Sequence, residues 1–216
     1  MKKAKVIIIK LLTIVVTFFL YALMQFVYFK RLKVNAEIMS LITLFAVELV
    51  WYFYHRFLKN SNKWQFSYKD RIKLKKVLVS ILGWILMLAA NIVLNLFIYK
   101  GGSSANEEAL NAILKNANPV FFHLFVIIGA PFFEEIMFRG MLFNLFDDLK
   151  KNTKNKIFLI LLSGFLFGFC HDPNLTPYFL VYFAMGSILA SVYTITGDIR
   201  YSMLSHGMLN LIASLG

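Results

Sequence analysis

Seven long apolar runs fill most of this chain, more apolar length than a single soluble core can bury. They are Val6–Phe29, Glu37–Phe57, Val77–Tyr99, Pro119–Phe146, Ile157–His171, Tyr178–Thr196 and Tyr201–Leu215. A helix that crosses a bilayer needs about 20 predominantly apolar residues, and five of the runs come close to or exceed that. The fifth and seventh are shorter. Hydrophobic residues make up 59% of the 216, against about 45–50% in a soluble domain. The pattern predicts an all-α fold: a polytopic membrane helical bundle of about seven transmembrane helices, with six to eight compatible with the boundaries, in one integral membrane domain over residues 1–216. The first run follows Lys2, Lys3 and Lys5, as in a signal peptide. It is longer than a typical signal-peptide core and meets Lys30-Arg31 rather than a cleavage site, so it reads as a retained anchor.

The charge pattern sets orientation. The formal net charge is +12, from 23 Lys+Arg against 11 Asp+Glu. Such a balance can mark a nucleic-acid binder. Here the bases lie between apolar runs, with no basic stripe carrying interleaved exposed aromatics, so no nucleic acid is expected as a partner; the lipid bilayer is. If all seven runs span, the N-terminus (three), the Arg56–Lys76 loop (eight), the Lys150–Lys156 loop (four) and Arg200 share one side, against Lys30, Arg31, Lys33, Lys100 and Lys115 on the other. Basic loops stay inside, which predicts a cytoplasmic N-terminus and an external C-terminus. The excess of Lys over Arg, with frequent Asn, Ile and Phe, points to a bacterial cell membrane. The one cysteine, Cys170, excludes an internal disulfide and reads as a packing residue.

Several local signals place helix ends. Ser104-Ala105-Asn106-Glu107 has the spacing of a capping box and opens a short interfacial helix. Asn118-Pro119 and Thr176-Pro177 each read as an N-cap followed by proline at the first helical position. Asp172-Pro173 ends the fifth run directly after His171. Gly164 and Gly168, four apart, allow two helices to pack closely.

Ionisable side chains inside spans are costly, so each is a functional candidate. Lys10 lies near a span end and can snorkel. Glu48 is mid-span, with no base near it in sequence. His123 is near the start of its span. The stretch Pro131-Phe132-Phe133-Glu134-Glu135-Ile136-Met137-Phe138-Arg139 differs from these. Glu135 and Arg139 stand at i and i+4, so the guanidinium can hold that carboxylate ionised. Glu134 points about 100° away and has no such local partner. Pro131 cannot donate to the carbonyl of Ile127, which predicts a kink or a restart of the helix. With a restart, both glutamates would sit in the first turn of a half-helix, against the positive end of its dipole.

Two histidines complete the set. His171 follows Phe167 by four residues, and Asn210 follows His206 by four, so each pair shares a helix face. Hydrolysis of an amide needs a base to activate water and donors to hold the oxyanion. Glu134 with His171 could supply the first, and His206 with Asn210 the second. A buried ion pair that only locks packing, or a proton-coupled transporter, fits the same polarity.

Glu134-Glu135-x-x-x-Arg139, Phe167-x-x-x-His171 and His206-x-x-x-Asn210 resemble, in order and spacing, the three motifs of the CAAX protease and bacteriocin-processing (CPBP, or Abi) family of intramembrane endopeptidases. The resemblance covers residues 119–216 as a catalytic core and leaves residues 1–100 as additional N-terminal spans. It implies a membrane protease acting on a peptide or protein substrate, in bacteria in bacteriocin or signal-peptide processing or in self-immunity. By position it implies that Glu134 and His171 activate water, that His206 and Asn210 hold the oxyanion, and that Glu135 and Arg139 support them. A non-catalytic immunity or binding protein on the same scaffold is the alternative. The family is commonly labelled metalloprotease but lacks His-Glu-x-x-His. Glu134, His171 and His206 could form a zinc site, and could equally work without a metal. Counting about 1.5 Å per residue puts Glu134 and His171 roughly 18–22 Å from the cytoplasmic ends, and His206 roughly 9–12 Å.

Overall fold

The computed structural model describes residues 2–29, 36–60, 62, 64–98, 103–115 and 117–215. Among these residues the regular structure is entirely helical. The helices are α1 (Lys2–Phe29), α2 (Ala36–Asn60), α3 (Leu74–Ile98) and the short α4 (Ala105–Leu114). They are followed by α5 (Pro119–Leu145), α6 (Thr153–His171), α7 (Tyr178–Thr196) and α8 (Ile199–Ala213). Six of them are long and apolar enough to cross a membrane: α1, α2, α3, α5, α6 and α7. Large apolar side chains such as Phe19, Phe45, Leu96 and Phe97 point outward from these helices. In water that surface would be unstable; in a bilayer it is the solvated face, and the chain is a multi-pass membrane protein.

The seventh run becomes α8, which has 15 residues. That length is roughly 22 Å, short of the roughly 30 Å hydrocarbon layer. The fifth run, read from Ile157, extends back to Thr153, where the Asn152 side chain caps the helix by accepting from the backbone N–H of Asn155. The Ser104 and Asn118 caps form as the sequence suggests. At Thr176-Pro177 the helix begins one residue later, at Tyr178. Tyr99, at the end of the third run, lies outside the described residues.

The most buried span is α5, and it is not a simple α-helix. Two π-helical segments interrupt it, Phe125–Gly129 and Ile136–Met141. The first has a sequence cause. Within it the Ala130 N–H reaches back five residues to the Phe125 carbonyl. In that register the next donor would be Pro131, which has no N–H, so the Val126 carbonyl is left over. The Asn210 side chain on α8 donates to it at 2.8 Å. One turn earlier on α8, a Cβ at Gly207 would lie 2.9 Å from the Ile127 carbonyl, so only glycine permits this approach. The strain at Pro131 therefore produces a widened helix, not a restart. Glu134 and Glu135 close the α-helical stretch Ala130–Glu135, and no free helix N-terminus faces them. No helix dipole offsets their burial.

Other elements seat this pair. Helices α6 and α7 meet at Gly164 and Gly186, where a Cβ on Gly164 would fall 2.1 Å from the Ser187 hydroxyl oxygen. The small-residue spacing is a packing device, as read from the sequence. Gly197, at φ 67°, turns the chain sharply from α7 into α8. Asp198 and Ile199 are then fully buried, so α8 starts inside the protein. The difference in counted depth does not keep the residues apart: Nε2 of His206 lies 3.8 Å from Oε2 of Glu134.

Candidate active site

All six polar positions of the three motifs come together. Glu134, His171, His206 and Asn210 line one cavity of about 860 Å³, a size typical of ligand sites. Glu135 and Arg139 pack behind them with side chains wholly removed from solvent.

Behind the cavity wall, Arg139 donates through Nη1 to Oε1 of Glu135 at 2.9 Å and through Nη2 to the Gly186 carbonyl at 3.0 Å. Its guanidinium also lies 4.8 Å from the Phe167 ring centroid, within cation–π range. Glu135 Oε1 accepts a second bond, from Nδ1 of His206 at 2.9 Å. A carboxylate paired with Arg139 can only accept, so Nδ1 of His206 carries the proton. The Nε2 atom of His206 then faces the cavity, as an acceptor when the ring is neutral and as a donor when the ring is doubly protonated.

His171 is oriented in the same way. Its Nδ1 lies 2.8 Å from the Phe167 carbonyl, which only accepts, so this nitrogen is also the protonated one. The ring is stacked between Phe167 (centroids 4.2 Å apart) and Tyr182 (4.9 Å). Nε2 of the neutral ring therefore points a lone pair toward Glu134.

Glu134 is the focus. Its Oε2 lies 3.8 Å from Nε2 of His206 and 3.9 Å from Nε2 of His171. Both separations exceed hydrogen-bond length, and Oε2 has no hydrogen-bond partner. A buried carboxylate oxygen without a partner is costly, and polar groups spaced this way are suited to a bridging water. Glu134, His171 and His206 carry the donor atoms of a His₂Glu zinc site. Around a metal with bonds of about 2.0–2.1 Å, tetrahedral ligands stand about 3.4 Å apart. As placed, these atoms are wider, and among the described residues no group of three His, Cys, Asp or Glu is arranged to hold a metal ion.

The remaining candidates fall elsewhere. Glu48 is exposed on α2 and is not among the residues lining the cavity. His123 lines the cavity, with a buried Nδ1 that has no hydrogen-bond partner. Lys10 does not snorkel outward; it is buried and donates to the Asn144 carbonyl at 2.6 Å. Cys170 is exposed, not packed, and also lines the cavity.

Two tyrosines that carry no charge, and so drew no notice in the sequence, reach the site. Tyr21 on α1 donates its hydroxyl to Oε1 of Glu134. Tyr182 stacks on His171 and shares a 2.7 Å hydrogen bond with Ser104, the cap of α4. Asn106, Glu107 and Asn111 of α4 line the same cavity, so this short helix forms part of its wall. A tyrosine in an apolar span needs a partner for its hydroxyl, and that is the one sequence signal that could have flagged either residue.

No curated protein and no solved structure matches the chain. A family model does. From residue 116 to residue 212, a little under half of the chain and the stretch that holds all six motif residues, the sequence matches the family described as Type II CAAX prenyl endopeptidase Rce1-like, in accord with the resemblance of its three motifs to the CAAX protease and bacteriocin-processing family.

Proposed function

We propose that this protein is an intramembrane endopeptidase that hydrolyses a peptide bond near the membrane surface with water activated by Glu134 and His171. The observation that carries the reading is the unpartnered Oε2 of Glu134, facing two histidine Nε2 atoms at 3.8 and 3.9 Å on the wall of a cavity. The family match supports protease chemistry of this type.

A water molecule between Glu134 and His171 donates one hydrogen to the carboxylate and one to the imidazole lone pair. As its oxygen attacks the scissile carbonyl carbon, a proton passes to Glu134. The carbonyl π bond opens to an oxyanion. His206, doubly protonated and held by Glu135, donates to that oxyanion through Nε2. Asn210 spends one amide hydrogen on Val126 and keeps the other for the same oxyanion. The C–N bond then breaks, and the proton held by Glu134 goes to the departing nitrogen. Positioned acid–base groups of this kind contribute about 10²–10⁴ in rate, and an oxyanion donor about 10²–10³. No step requires a metal. In the living cell the substrate in this reading is a bacterial bacteriocin or signal peptide, or a peptide neutralised in self-immunity, with the N-terminus of the enzyme in the cytoplasm.

The test is purified protein in lipid or detergent, offered a library of membrane-proximal peptides, with and without a strong chelator. Cleavage that survives complete metal removal, and is lost in His171→Ala, is the expected result. Absence of any cleavage across the library, with the protein folded, favours the non-catalytic reading. Cleavage abolished by chelation and restored by zinc refutes the metal-free mechanism.

A further inference from the structure

We propose that Tyr21 is a positioning residue for Glu134, so that the first helix, outside the matched segment 116–212, is part of the working site. The proposal deepens the protease reading and rests on it.

A glutamate carboxylate rotates easily about its last bond, because that torsion is broad and roughly two-fold. Left alone, Glu134 could present either oxygen to the cavity, or turn both away from the histidines. The Tyr21 hydroxyl removes this freedom by donating to Oε1. Oε2 is then the oxygen left to face His171 and His206. The tyrosine is itself fixed. Its ring stacks on Phe125 (centroids 6.1 Å, interplanar 18°) and on Phe133 (5.7 Å, 30°). Phe125 opens the first π-helical segment, and Phe133 immediately precedes Glu134. The hydroxyl and the carboxylate are thus held by one rigid aromatic stack shared between α1 and α5. Tyr21 also lines the cavity, so the contact lies at the working surface and not deep in the packing.

A tyrosine that served only as packing could lose its hydroxyl without consequence. Tyr21→Phe keeps the ring and removes the donor. The first readout is independent of any substrate. In infrared spectra of ¹³C-glutamate-labelled protein, the carboxylate stretch of Glu134 is identified as the band that disappears in Glu134→Gln. That band is expected to move in Tyr21→Phe, and an unmoved band overturns the proposal. The second readout uses a peptide that the wild-type protein cleaves. Misplacement of a reacting group costs up to about 10²-fold in rate, so kcat is expected to fall roughly tenfold to a hundredfold with KM changed less than about twofold. Unchanged kcat in folded Tyr21→Phe overturns the proposal, as does a change confined to KM. If the wild-type protein cleaves nothing, the protease reading fails while the infrared band still decides the role of Tyr21. If Tyr21→Phe does not fold, fluorotyrosine at residue 21 keeps the ring and alters only the donor, and the same band must move.

Discussion

Replacing Arg139 by methionine should destabilise the protein more than replacing Arg139 and Glu135 together. In Arg139→Met, the Glu135 carboxylate stays buried without its guanidinium and keeps only the Nδ1–H of His206; the Glu135–Arg139 pair is 2.9 Å apart and both side chains are wholly removed from solvent. Breaking such a pair from one side costs about 3–5 kcal/mol. A chain of this length loses about 2–4 °C of melting temperature per kcal/mol, giving a drop of roughly 6–20 °C. In Glu135→Met/Arg139→Met, the uncompensated charge is gone. What remains is the loss of acceptors and donors for Nδ1 of His206 and for the Gly186 carbonyl. The Gly186 carbonyl is orphaned in both variants, so the double variant adds only one unpaired Nδ1–H, about 1–3 kcal/mol or roughly 2–12 °C, in place of the buried charge. The assay is thermal unfolding of the purified protein in one detergent, followed by tryptophan fluorescence. A double variant that melts at or below the Arg139→Met single would refute the buried-charge argument. The double variant should still be inactive on any cleaved peptide, because His206 has lost the group that orients its ring.

Other perturbations test the rest of the frame. Gly164→Ala should lower the melting temperature by several degrees, since its Cβ would fall 2.1 Å from the Ser187 hydroxyl oxygen and overpacking costs about 1–3 kcal/mol; a fully stable variant would contradict the α6–α7 packing. Asn210→Ala should cost about 1–3 kcal/mol by leaving the Val126 carbonyl unpaired; in Asn210→Ala/Pro131→Ala the restored backbone N–H should recover part of the stability but none of the activity, and the reverse pattern would be inconsistent with the role given to Pro131. Tyr182→Phe keeps the ring on His171 and removes the bond to Ser104; hydrogen exchange should quicken at the start of α4 with the rest of the protein unchanged, and unaltered exchange would count against that tether.

What the sequence made legible is what local spacing controls. The Glu135–Arg139 pair follows from the α-helical repeat and survives even though Arg139 sits in a π-helical segment. The different direction of Glu134, about 100° around the helix from Glu135, follows from the same repeat, and it is Glu134 and not Glu135 that lines the cavity. His206 and Asn210 do share a face. Non-local consequences were not legible. Tyr21 meets Glu134 across 113 positions of chain, and nothing local marks a neutral tyrosine among leucines and phenylalanines. The bond from Asn210 to Val126 depends on the register that Pro131 imposes on α5, which a proline alone does not specify between kink, restart and π-helix. That Asp198 and Ile199, at the start of α8, are fully buried is likewise a tertiary fact that hydropathy cannot show.

The most direct test of the central claim is Glu134→Gln, which keeps the size of the side chain and its acceptor for Tyr21 but removes the base. On a peptide that the wild-type protein cleaves, single-turnover cleavage should fall at least about 10²-fold, with the melting temperature and peptide binding retained. Cleavage at the wild-type rate by folded Glu134→Gln would contradict the account.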